Sequence, residues 1–94
     1  MIEYLYNAIR ATAGEDITIT AEITDDSGEC VGDGCAIMLW DGDNLLTSVN
    51  GMLADDIWTF TIPADKTAGL VGRYWYCICH NHSKLQFKEP IYLV

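Results

Sequence analysis

Thr67-Ala68-Gly69-Leu70-Val71-Gly72-Arg73-Tyr74-Trp75-Tyr76-Cys77-Ile78 decides the fold class of this chain. A glycine-rich turn runs straight into aromatic and β-branched residues, which is how a central strand of an antiparallel sheet begins. Tyr74, Tyr76 and Ile78 alternate, so they share one face of that strand, with Trp75, Cys77 and Cys79 on the other.

The same period of two recurs outward from this segment. Asp16 to Thr24 alternates cleanly, with Ile17, Ile19, Ala21 and Ile23 against Thr18, Thr20, Glu22 and Thr24. Asp56 to Ile62 sets Trp58, Phe60 and Ile62 opposite Ile57, Thr59 and Thr61. Cys35 to Trp40 is a short apolar run, expected to be a strand buried on both sides or nearly so. Leu45 to Val49 is another strand. The opening Ile2 to Ile9 alternates loosely, with Ile2, Tyr4 and Tyr6 on one side. Turn chemistry separates these runs: Ala13-Gly14-Glu15, Asp25-Asp26-Ser27-Gly28-Glu29, Asp41-Gly42-Asp43-Asn44, Asn50-Gly51 and Asn81-His82-Ser83-Lys84. Pro63 to Thr67 breaks the sheet and is expected to form one helical turn, capped by Asp65 or Thr67. Leu85 to Val94 is the last strand. Pro90 inside it has no N–H to give a ladder, so this strand is expected at an edge or with a bulge. About seven strands at turn spacings of roughly 8–12 residues are the signature of a two-sheet sandwich.

The 94 residues are expected to form one domain, residues 1–94. Half are hydrophobic, with three Trp, five Tyr and two Phe, which is enough for a core. No apolar run approaches the roughly 20 residues of a membrane helix, so no membrane partner is expected. Met1 to Tyr6 lacks a basic leader segment, and no signal peptide is expected. A net charge of −9 repels phosphate backbones, so no nucleic-acid partner is expected.

From Ile17 onward the order of motifs resembles a known family. An Ile/Thr strand leads to Asp25-Asp26-Ser27-Gly28 and a strand ending near Trp40. Trp58-Thr59-Phe60-Thr61-Ile62-Pro63 follows, then Asp65-Lys66-Thr67-Ala68-Gly69-Leu70 and Gly72-Arg73-Tyr74-Trp75-Tyr76. This resembles the small immunoglobulin-like β-sandwich domains of tailed-bacteriophage and prophage structural proteins, found in tails, baseplates and fibre bases. The resemblance spans roughly residues 8–94. Its most specific part is the turn Asp65 to Leu70 leading into Gly72 to Tyr76. Cys77 and Cys79 depart from the pattern, standing where outward polar residues are usual. The resemblance implies an all-β, immunoglobulin-like two-sheet antiparallel sandwich of about seven strands. It also implies a non-enzymatic assembly role: a virion component made in the bacterial cytoplasm, in contact with other virion proteins or with itself.

Residue chemistry points the same way. Cys30, Cys35, Cys77, Cys79, His80 and His82 raise the question of zinc, but Cys30 and Cys35 are loosely spaced. Cys77 and Cys79, two apart on a strand, are expected to splay. Reduced thiols are the first reading. Zinc, or a disulfide such as Cys30–Cys35 or a cross-strand pair, are the alternatives. Cys79 and His80 are chain neighbours on opposite faces, and Cys77 and His82 are separated by a turn, so no thiol–imidazole catalyst is expected. Asp25-Asp26 and Asp41-Gly42-Asp43-Asn44 complete no calcium loop. No catalytic residue, cofactor or metal is therefore assigned. The interface residue expected is outward Trp75, helped by Ile57. The alternative is a bacterial adhesive or carbohydrate-binding sandwich in which Trp75, Trp40 and Tyr92 stack on sugar rings.

Overall fold

A computed structural model describes the chain apart from residues 1, 6–7, 82 and 85–87, with residues 2–5 and 83–84 described by backbone alone. Tyr6 and His82 fall outside the described residues, as do the side chains of Ile2 and Tyr4.

Among the described residues there are ten strands and one helical turn: β1 Ile2–Leu5, β2 Ala8–Ala11, β3 Ile17–Ala21, β4 Cys35–Asp41, β5 Asn44–Asn50, β6 Met52–Ala54, β7 Ile57–Ile62, α1 Ala64–Thr67, β8 Gly72–His80, β9 Ser83–Lys84 and β10 Glu89–Leu93. They form the two sheets of a sandwich. The larger runs β1-β2-β10-β8-β4-β5, with β9 also paired to β8; the smaller runs β3-β7-β6. Every pairing is antiparallel except β2 with β10.

The alternation read from the sequence places the core. Ile17 and Ile19 of β3 and Trp58, Phe60 and Ile62 of β7 are buried, and so are Ile37 and Leu39 of β4 and Tyr76 of β8. Trp58 and Phe60 stack with ring centroids 6.2 Å apart, and the buried Trp58 indole donates to the Val31 carbonyl at 2.8 Å. Tyr74, expected in the core, is only half-buried. The β4 ladder ends at Trp40 opposite Trp75, so Tyr74 has no β4 neighbour to cover it.

Three other expectations give way. β10 is not an edge strand: it lies between β2 and β8. Pro90 is accommodated because the ladder to β2 begins only at Ile91. Asn50-Gly51 does not turn a hairpin, since β5 belongs to one sheet and β6 to the other. The chain crosses between layers at Gly51, whose N–H donates to the Cys35 carbonyl at 2.9 Å. The hairpin turn lies at Asp55-Asp56, where both residues take positive φ, 51° and 63°, joining β6 to β7.

Neither Asp65 nor Thr67 caps α1. Pro63 is the N-cap, and the Asp16 carboxylate accepts from the Ala64 N–H at 2.8 Å. Thr67 is wholly buried, and its hydroxyl accepts from the Gly14 N–H at 3.0 Å. These two bonds tie the turn before β8 to the turn before β3, and so fix one end of the sandwich. Thr67→Val keeps the shape and removes the acceptor. Because Gly14 is exposed and can turn to water, the expected loss is about 1 kcal/mol, read as a lower denaturation midpoint. An unchanged midpoint would show that the tie carries no stability.

Candidate interaction surface

Register decides which side chains meet on the outer face of the larger sheet. Tyr92 of β10 stands between Arg10 of β2 and Arg73 of β8. In the next row Trp75 of β8 lies between Pro90 of β10 and Trp40 of β4, and Trp40 in turn faces Leu45 of β5. That last pairing depends on a bulge: Leu39 faces Thr47 while Trp40 faces Leu45, so β5 carries one extra residue, Leu46. A row Trp75–Trp40–Leu45 therefore crosses three strands and ends at the open edge of the sheet.

Cations cover both indoles. The Arg73 guanidinium lies 5.2 Å from the Trp75 ring centroid, and Lys88 Nζ lies 4.0 Å from that of Trp40. Lys88 is held there by the Gly42 carbonyl at 3.0 Å and the Asp43 carboxylate at 3.6 Å. Gly42, Asp43, Trp75 and Lys88 line an open hollow of about 260 Å³.

Trp75 faces outward, as its strand phase requires, and is half-buried. Ile57 does not join it. Ile57 pairs with Ala54 on the smaller sheet, on the outer face with Thr59 and Thr61, so the two residues lie on opposite sides of the sandwich. Trp40 takes the place beside Trp75 that was expected of Ile57, and Leu45 extends the row beyond it. The sequence reading passed over Leu45, yet a signal was present. No residue from Asn44 to Ala54 is charged in a chain of net charge −9. This stretch is β5, Gly51 and β6, an edge strand of each sheet in succession. Leu45, Leu46, Met52 and Leu53 are all exposed along it, Met52 at 77%.

The cysteines are free thiols in two separate settings. Cys35 is on the inner face of β4, opposite His80 in register, and His80 Nε2 is 3.8 Å from the Asp33 carboxylate. That Cys35 and His80 take facing positions in the ladder was not foreseen. Burial first, then the nearby Asp33 charge, pushes the Cys35 thiol pKa up, away from the thiolate form. Burial likewise raises that of Cys30, aided by Asp56. Cys77 and Cys79 lie on the outer face of β8, but neither is splayed or solvent-facing. They are 0% and 1% exposed, their sulfurs are 3.8 Å apart, and the Trp40 indole N–H donates to Cys77 Sγ at 3.4 Å. Among the described residues no three His, Cys, Asp or Glu side chains gather as a metal set, and no helix is long and apolar enough to cross a membrane.

Neither a protein family nor a curated protein matches the sequence. The architecture does find a counterpart among solved structures. The crystal structure of the Lin-41 filamin domain superposes with a TM-score of 0.65 at 12% identity, over 90% of this chain and 82% of that one. The fold is immunoglobulin-like. In such sandwiches the strand pair β3 and β7 forms the heart of one layer, and β4, β8 and β10 form the other. At this identity the likeness concerns the fold alone.

Proposed function

We propose that this chain is a non-enzymatic assembly module of a phage or prophage virion, a tail or baseplate component made in the bacterial cytoplasm. It acts through contacts with other virion proteins or with itself. The observation that carries the contact reading is the row Trp75–Trp40–Leu45, which runs across the outer face to the uncharged edge formed by β5 and β6. The centre of an interface is rich in aromatic residues and poor in charged ones, and an open strand edge invites pairing, which this row and edge both offer. The motif from Asp65 to Tyr76 supports the virion assignment through its resemblance to phage sandwich domains.

The test is light scattering and sedimentation of the purified chain, alone and with the products of adjacent genes. Trp75→Ala is expected to weaken association by about 2 kcal/mol, near 30-fold, with the fold intact. Leu45→Ala should weaken it less, and Ile57→Ala not at all. A Trp75→Ala protein that assembles as well as the parent would refute the anchor. Neighbouring genes with no role in tail assembly would refute the virion context.

Trp40, Trp75 and Tyr92 share one face, which also fits the carbohydrate-binding alternative. The cations lying over both indoles favour the protein–protein reading, because a sugar ring would have to displace them to stack. Tryptophan fluorescence that responds to a soluble oligosaccharide would reverse that preference.

A further inference from the structure

The paired thiols of β8 are the least expected feature of the molecule. Cys77 and Cys79 project from the outer face of the larger sheet, yet they are as buried as any core residue and lie outside the main hydrophobic cluster. Two metal–sulfur bonds of about 2.3 Å spanning their 3.8 Å separation subtend about 110° at a metal. The thiols therefore already have the bite of a chelate.

Other groups complete the setting. Met38 stands directly opposite Cys77 across the β4–β8 ladder. Cross-strand partners have Cβ atoms about 4.5–5.5 Å apart, which brings its flexible thioether within reach. Met38 and Cys79 also line a hollow of about 170 Å³ together with Gly34, Ala36, Ser48 and Asn50, so an ion entering it would meet the site at Cys79. The Trp40 N–H on Cys77 Sγ would stabilise a bound thiolate. Two thiolates and a thioether are a soft set. They suit a monovalent copper ion, whereas structural zinc takes four ligands, typically thiolate and imidazole.

We propose that Cys77, Cys79 and Met38 form a binding site for Cu(I). Binding converts two thiols and one Cu(I) into a dithiolate complex of net charge −1, with release of two protons and no change of oxidation state; the Met38 thioether adds as a neutral third ligand. The proposal does not rest on the docking reading, although Trp40 belongs to both places.

The experiment is an anaerobic titration of the reduced chain with Cu(I) held by a chromogenic chelator. One Cu(I) per chain is expected to transfer. Cys77→Ser and Cys79→Ser should each weaken uptake at least tenfold, and Met38→Leu, close to isosteric, severalfold. Cys30→Ser and Cys35→Ser should leave it unchanged. Should either serine variant at β8 fail to fold, alkylation of the unaltered chain gives the answer. In urea that partly opens the copper-free chain, bound Cu(I) should slow alkylation of Cys77 and Cys79 relative to that copper-free control and not that of Cys30, as read by peptide mass. No transfer from the chelator, uptake that survives loss of either β8 thiol or is indifferent to Met38→Leu, or protection located at Cys30 and Cys35 would each overturn the proposal.

Discussion

Phe60→Ala is expected to destabilise the domain by about 3–5 kcal/mol, the usual range for removing a buried aromatic ring. Phe60 is wholly inaccessible, stacks on Trp58 at a centroid separation of 6.2 Å and faces Ile19 across the β3–β7 ladder. The smaller sheet has three strands, and β7 is its centre, so the void would open where both neighbours depend on it. A small domain holds about 5–15 kcal/mol in total, and this one substitution consumes a large part of that. Chemical denaturation of the two proteins measures it. A midpoint unchanged by the substitution would mean that the ring does not lie in the core.

Gly51→Ala is expected to cost about 1–3 kcal/mol, as overpacking does, although a single methyl group is added. A Cβ at this position would stand 2.6 Å from one carbon of the Phe60 ring and 2.7 Å from a carbon of Trp58. Both rings are packed and cannot swing aside without opening the core. The backbone comes this close because Gly51 carries the chain from the larger sheet to the smaller one and hydrogen-bonds to Cys35 on the way. The variant should show a lower melting temperature and altered near-ultraviolet circular dichroism, since the tryptophan and phenylalanine environment shifts. A variant as stable as the parent would place the crossing farther from the rings.

The two substitutions differ in how they could be foreseen. Phe60 is legible from its neighbours in sequence: Trp58, Phe60 and Ile62 alternate with Ile57, Thr59 and Thr61, and one set must be inside. Gly51 is not. Asn50-Gly51 is a favoured hairpin dipeptide, and only the assignment of β5 and β6 to different sheets shows that the glycine is needed for proximity to aromatic rings rather than for a turn. The true turn, Asp55-Asp56, was concealed for the complementary reason: both residues adopt positive φ without being glycine. Pro90 misled in the same way. A missing N–H excludes a strand from the sheet interior only where the adjacent ladder would have used it, and the β2 ladder starts one residue later.

The candidate surface divides along the same line. The outward phase of Trp75 follows from the alternation of β8, and so does the shared face of Cys77 and Cys79. Trp75's neighbours do not follow. Ile57 is outward too, but on the other sheet, and Leu45 reaches Trp40 only through the bulge at Leu46. The separation of the two thiols depends on side-chain torsions and on what covers them, and no spacing rule supplies either.

Acting alone, the sequence determined the all-β class, the sandwich architecture, the inward and outward residues of most strands, and a net charge of −9. All of these follow from local periodicity and composition, because successive side chains on a strand must point to opposite faces. Tertiary structure alone decided which strands are neighbours, which edges stay open, where the chain changes layers, and that Cys77, Cys79 and Trp40 meet. The physical reason is that strand pairing is made by backbone hydrogen bonds common to every residue. Partner and register are therefore selected by the packing of the whole core, which no single segment encodes.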